Sequence, residues 1–447
     1  MMKALLQPVY FPEANKRETD DFKKQLVILK KLYQEEAEFL LPISIGENVP
    51  AHADAIVFPQ IINAAFQKKE IFLSFQLPLI VLTSEFGTVE MWDWEIVAYL
   101  RENLNLEVFT PYSQTLAKVI LRALAAKRAM KNGLSFLIFQ DSPGEGMQAN
   151  IFKRFYWWEQ ECIRQIEDRF GVKLIYKSWK GINESAQKIP DTDALLLWEK
   201  RAVPAEEISQ KSLLNAVKLY LAIKQEVQDL QPIAGIGANC LNESFYSHTT
   251  PCLAWNWLFE YDRILWACEG DTVSLISEFI FYSALHRPFL MTNLYPFLVG
   301  MAALKHEKIK TFPSVPDSDN HALGVHCGYL GFAPQSFCCQ WRLKPKVLEI
   351  VDENALMVDC QIETGPVTLA KLHADMKTLT IIEANLEQYV GYPGSDCRNG
   401  ALIHYKNGNG HKIMEILSSH HAIILQGDAT AELVQMAKVY HFQVEIL

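Results

Sequence analysis

Four short stretches carry the side chains that could do chemistry. ACEGDTVSLISEFIFYSALHRPFLMTN, residues 267 to 293, opens with Glu269 and Asp271 and closes on Asn293. GANCLNESFYSHTTPC supplies Asn239, Glu243 and His248, GVHCGYLG supplies His326, and SSHHAIILQG supplies His420 and His421. Carboxylates and imidazoles together are donors for divalent cations and carriers of protons. Each stretch also has a plain structural use. Acids at a helix start cap free N–H groups and favour the macrodipole, which suits Glu269 and Asp271. Neighbouring residues on a strand point to opposite faces, so only one of His420 and His421 is expected to face a given site. His326 lies on a glycine-rich turn, and loops are where binding residues gather.

Other motifs exclude alternatives. GIGANC follows an apolar run but lacks the third glycine and the later acid of a dinucleotide fingerprint, and DSPGEGMQ lacks the Lys-Ser/Thr of a phosphate loop. No nucleotide is expected. The nine cysteines are scattered without CxxC spacing, which argues against a zinc ribbon and against a disulfide framework. Cys240, Cys268 and Cys327 stay in view because they border the polar stretches. A net charge of −10 disfavours nucleic acid and anionic membrane as partners and leaves a small molecule as the default ligand. No uninterrupted apolar run is long enough to span a bilayer, and the charged N-terminal segment does not read as a signal peptide, so a cytoplasmic chain is expected.

The elements that must position these residues follow from the apolar pattern. With 447 residues, 49% of them hydrophobic, the chain has enough core for two or three domains. Short apolar runs alternate with amphipathic segments through KALLQPVY, AIVFPQ and LPLIVLTS, and again through LSFLIFQ, VKLIYKSW, ALLLWEK, PIAGIGANC and ILWACEGD. That alternation predicts βα units on parallel sheets. After about residue 310 the texture becomes strand-rich, with ALMVDCQIE, VTLAKLHAD and KTLTIIEANLE before a closing helix near 428–440. The expected architecture is α/β: two Rossmann-like parallel-sheet domains, 1–145 and 146–310, then a smaller, mostly β, barrel-like domain over 311–447. In open parallel sheets ligands bind beyond the carboxyl ends of the strands, where Asn239 and Glu269 both fall.

Taken together, CEGD, the position of Asn293, GPVTLAKLHADMKTLTIIEANLE and SHHAIILQG resemble the L-fucose and L-arabinose isomerase superfamily. In the fucose isomerase branch a Glu-x-Asp turn carries the first metal-binding carboxylate, and a second follows at a spacing matched here by Glu269 and position 293. The resemblance implies Glu269 as metal ligand and proton-transfer group, position 293 as its partner, and His421 as the metal-binding histidine. His420, Asp271, Asn239, Glu243 and His326 are then candidates for the substrate side of the site, and Trp255, Trp257 and Trp341 for stacking on a sugar or for core. It also implies a divalent cation, Mn²⁺ ahead of Mg²⁺, a monosaccharide substrate, and a trimer or hexamer. Aldose–ketose interconversion passes through an enediolate whose developing charge a divalent cation stabilises.

One position departs from that pattern. Asparagine stands at 293 where the resembling enzymes carry an acid, and no Asp or Glu occurs between Glu278 and Glu307. An amide oxygen can ligate a cation but cannot accept and return a proton at neutral pH. Either another acid takes that role, with Glu243 and Glu260 as candidates in the segment feeding the same face of the sheet, or the site has turned to another metal-assisted step. A third alternative is a chain that binds a sugar or polyol without converting it.

Overall fold

The computed structural model describes residues 2–141, 160–230, 232–240, 247–298, 300–302, 315–349, 351–392, 395–408 and 410–447. It divides into two compact units, the first formed mainly by Met1–Ala129 and the second by nearly all of the rest.

The first unit is a doubly wound sheet. Its parallel strands run in the order Ala37–Phe39, Ala4–Tyr10, Ala55–Phe58, Leu79–Val81, Val108–Phe109, with Ile43–Ser44 also pairing with the strand Ala4–Tyr10. Ala55–Phe58 and Leu79–Val81 are buried throughout, as strands covered on both faces must be. Helix Lys16–Leu32 opens with a capping box between Asn15 and Glu18 and turns Phe22, Leu26 and Leu29 inward at helical spacing.

The second unit combines a parallel sheet with a closed barrel. The sheet order is Leu265–Ala267, Ile233–Ala238, Ser135–Phe139, Lys173–Lys177. The barrel has six antiparallel strands, in the order Phe289–Leu298, His321–Gly324, Gly400–Tyr405, Thr378–Val390, Gly365–Leu372, His421–Gln426, and the last pairs again with the first. Closure leaves no free edge among these six. The barrel's first strand lies upstream of residue 311, so the polar end of the Glu269 segment is itself part of the barrel wall.

Helix Thr272–Leu285 ties the sheet to the barrel and is buried almost all round. One side meets the sheet: Phe279 packs edge-on against Phe136, and a Cβ on Gly235 would stand 2.7 Å from Leu275 Cδ1. The other side, carrying Asp271 and Ser274, meets Lys371 on the barrel strand Gly365–Leu372. The glycines of GIGA therefore serve close packing. A Cβ on Gly237 would lie 3.3 Å from the Cα of Gly270, inside the Glu269 turn.

ALLLWEK differs from expectation, since it belongs to helix Asp191–Arg201. Pro190 precedes that helix and Asp191 and Asp193 fill its first turn, the usual marks of a helix start. A run of five apolar residues does not distinguish a strand from a helix by periodicity. Gln160–Phe170 is a helix, and of DSPGEGMQ only Asp141 is among the described residues. No helix among the described residues is long and apolar enough to cross a membrane.

Candidate functional site

The parallel strand Leu265–Ala267 runs straight into a tight turn, Cys268–Gly270, and then into helix Thr272–Leu285. Glu269 sits in that turn with φ 55° and ψ 15°, a left-handed conformation that costs a residue other than glycine on the order of 1–3 kcal/mol. The strain aims a carboxylate into the protein, where Glu269 is 5% exposed. Its Oε2 lies 3.6 Å from His421 Nε2 and its Oε1 3.6 Å from His326 Nδ1. Burial pushes the Glu269 carboxyl up, but the imidazoles of His421, His326 and His420 outweigh it and hold the group at about 2.

Strand pairing brings the distant pieces together. Asn293 and His421 are direct partners on adjacent barrel strands, although 128 positions separate them in the chain. Asn293 Nδ2 donates to the Tyr295 hydroxyl at 3.3 Å, while Oδ1 is buried without a hydrogen-bond donor among the described residues. His326 lies in the tight turn His326–Tyr329, whose central residues, Cys327 and Gly328, both have positive φ. That geometry is the primed type, for which glycine is the natural second residue. Gly331 lets this turn close in, since a Cβ there would lie 2.1 Å from Met291 O and 2.7 Å from His326 Cδ2.

Both histidines of the pair belong to the group. Glu269, His420 and His421 each offer a ligand atom within 4.8 Å of the others. The alternation rule fails here because His420 is in a bend before the strand His421–Gln426 begins, so its side chain is not bound by the pleat. The two rings lie 4.5 Å apart, and burial beside His421 pulls His420 down to about 3, leaving a neutral imidazole suited to a cation.

Asp271 sits behind His421. It is fully buried, caps helix Thr272–Leu285 through Ser274 N at 2.8 Å, and accepts from the Ser274 hydroxyl, from Lys371 Nζ at 2.9 Å and from His421 Nδ1 at 2.8 Å. Its oxygens are thus committed to protein donors. Burial opposes its charge, but Lys371 and His421 hold its carboxyl well below the usual range. Burial likewise opposes the charge on His421, and its carboxylate partners Asp271 and Glu269 outweigh that and raise it. A carboxylate on Nδ1 fixes the ring and leaves Nε2 toward Glu269, the arrangement found behind metal-bound histidines.

Two members of this set carry signals that local motifs did not pick up. Lys371 is the lone cation within the buried run VTLAKL, and Glu278 the lone acid within the apolar helix. Lys371 also donates to the Ser274 hydroxyl. Glu278 is fully buried, and neither carboxyl oxygen has a hydrogen-bond partner among the described residues. Burial and the Asp271 charge raise its carboxyl well above the usual range, which favours the neutral acid.

The other candidates are placed as follows. Asn239, at the end of the neighbouring strand, is fully buried, and its amide N and O have no partner among the described residues. Glu243 lies outside the described residues, Glu260 accepts from Ser336 N at 2.7 Å, and His248 is exposed. Trp255 and Trp257 are core: Trp255 packs edge-on against Phe332 and Trp257 against Tyr220. Trp341 is buried and donates to Ala333 O. Cys240, Cys252, Cys268 and Cys327 line one small cavity of about 30 Å³ beside His326. Burial pushes Cys240 up to about 12 and Cys252 up to about 11, so these are protonated, unreactive thiols. All nine cysteines are free.

No protein-family model matches the chain, and no curated protein matches it.

The donor set fits a divalent cation. One carboxylate and two imidazoles offer ligand atoms within 4.8 Å of one another, a further amide oxygen is buried without a donor among the described residues, and a carboxylate orients one of the imidazoles.

Proposed function

We propose that this chain is a metal-dependent ketol isomerase of a monosaccharide, akin to the L-fucose and L-arabinose isomerases. The observation that carries the reading is the convergence of Glu269 and His421, 3.6 Å apart, with Asn293 paired to His421, beyond the carboxyl end of a parallel sheet. Buried amide groups left without partners cost about 1–3 kcal/mol each, which a polar ligand at Asn239 and Asn293 would relieve. Glu269, His421 and His420 would hold the cation, with Asn293 Oδ1 as a neutral fourth donor. Mn²⁺ would be the resident ion, and a trimer or hexamer the assembly. When bound, the cation stabilises the negative charge that develops on two neighbouring sugar oxygens.

The residues of the chain divide the proton work. Glu269 takes the proton from C2 of the aldose, while His326, 3.6 Å from Glu269 Oε1, gives one to the carbonyl oxygen at C1. The enediol then collapses the other way: Glu269 returns its proton to C1 and His326 recovers one from the C2 hydroxyl, giving the ketose. His326 thus takes the part that an acid at position 293 would have played. Asp271 holds His421 in one tautomer, and Lys371 neutralises Asp271.

The test is exchange of the sugar C2 hydrogen with solvent deuterium, followed by NMR in the presence of Mn²⁺. Exchange lost in both Glu269→Gln and His326→Gln supports the reading, and exchange unchanged in Glu269→Gln overturns it.

A second reading is favoured by Asn293 itself. No second carboxylate joins the Glu269–His420–His421 group among the described residues, which suits a protein that binds a sugar or polyol through the ion without converting it. A rise in melting temperature with sugar, but no exchange and no product on long incubation, selects this reading.

A further inference from the structure

We propose a second transition-metal site, independent of Glu269, formed by His321, Glu387 and His404 on the barrel wall. Their ligand atoms lie within 4.8 Å of one another. His321 and His404 are direct partners on the strands His321–Gly324 and Gly400–Tyr405, and their rings stack with centroids 4.5 Å apart. Glu387 joins them through an irregularity: the pairing of Thr378–Val390 with Gly400–Tyr405 shifts between Leu386 and Gln388, so Glu387 is the extra residue of a bulge. Bulges re-aim a side chain in this way and are common beside functional sites.

The hydrogen bonds fix the donor atoms. His321 Nδ1 faces the Asp317 carbonyl at 2.9 Å, and since a carbonyl only accepts, that nitrogen carries the hydrogen. The remaining lone pair of the neutral ring is on Nε2, which lies 3.2 Å from Glu387 Oε2. A cation between them, a proton or a metal ion, would satisfy both acceptors. For bonds of about 2.0–2.1 Å a tetrahedral edge is roughly 3.3–3.4 Å, close to the separation found. His404 completes the group, with Nδ1 3.9 Å from Glu387 Oε1 and Nε2 3.5 Å from Asp317 Oδ2.

The backbone carbonyl on His321 is the kind of outer partner that orients a metal-bound imidazole. Two imidazoles and a carboxylate suit Zn²⁺ and its neighbours in the first transition row better than Mg²⁺ or Ca²⁺. A cleft of about 420 Å³ lies over the group, lined also by Pro316, Val390 and Tyr392. Three protein ligands facing a cleft leave a coordination position for water or a small ligand, as in catalytic rather than structural zinc sites.

The experiment is titration of the metal-stripped full chain with Zn²⁺, and with Co²⁺ as a spectroscopic probe. The Glu269→Gln chain, which lacks the first site's carboxylate, should still take up one Zn²⁺ and give the visible absorption of Co²⁺ on nitrogen and oxygen ligands. Adding His404→Gln or Glu387→Gln should weaken that uptake by more than the roughly 10- to 100-fold that losing an outer partner costs. His404→Gln alone should leave Mn²⁺ uptake through Glu269 unchanged, so failure of either site is read separately. Both side chains are partly exposed, and circular dichroism checks that the variants are folded. Zn²⁺ uptake that persists when His404→Gln or Glu387→Gln is added to Glu269→Gln, or none in Glu269→Gln, overturns the proposal and leaves a proton as the cation between His321 and Glu387.

Discussion

Asp271→Asn isolates the charge behind His421. Asparagine is as good a helix cap as aspartate, so the bond to Ser274 N is retained and helix Thr272–Leu285 keeps its start. What disappears is the anion facing Lys371, whose ammonium lies 2.9 Å away on a side chain only 5% exposed. Leaving one member of a buried ion pair without its partner costs about 3–5 kcal/mol. We expect that loss from urea unfolding of the chelator-treated chain at pH 7. Adding Lys371→Met to Asp271→Asn should recover part of it, because the stranded ammonium is removed; coupling between such neighbours is about 0.5–3 kcal/mol. The pH dependence has a definite sign. The folded carboxyl of Asp271 is held below its ordinary 3.8, so its stabilisation is present above that pH and is lost as the pH falls through the folded value. Wild type and variant should therefore converge in acid. A loss under about 1 kcal/mol at pH 7, or a double variant less stable than Asp271→Asn, would refute the reasoning.

Further outcomes follow from other residues. Glu278 has its carboxyl raised by burial and by Asp271, so the folded state binds the extra proton and stability falls as pH rises above the ordinary 4.5. Glu278→Gln should match wild type below that pH and become the more stable chain above it, by up to about 1.4 kcal/mol per pH unit; parallel curves would contradict this. Gly331→Ala drives a methyl onto Met291 O and His326 and should both destabilise the chain and weaken metal uptake, read by denaturation and titration. Arg263 ends helix Cys252–Asp262 in the left-handed region on an exposed side chain, and Arg263→Gly should gain about 1 kcal/mol in a thermal melt.

The sequence made the framework legible because its signals are local. Continuous apolar runs such as FLIF and AIVF are what strands buried on both faces require, and the polar residues at their ends fall where open parallel sheets bind ligands. The Glu269 turn and the helix after it were readable for the same reason. Contacts made at long range were not. That Asn293 faces His421 follows only once the barrel closes, and the entry of His420 depends on where the strand begins, a matter of one residue. Lys371 and Glu278 are lone charges in apolar runs, and only packing shows that the first meets Asp271. ALLLWEK lies in a helix whose start is marked by Pro190 and the acids Asp191 and Asp193 rather than by its five-residue apolar core. The His321–Glu387–His404 group needs a strand pair and a bulge, neither of which composition reveals.

The most direct test of the Glu269 centre is Mn²⁺ binding to the full chain, followed by loss of the free-ion resonance in electron paramagnetic spectra. In the His404→Gln chain, which lacks the second group, one ion bound per chain, and none once Glu269→Gln or His421→Gln is added, is the expected result. Equal uptake by wild type and Glu269→Gln, or no uptake by the wild type, would contradict it.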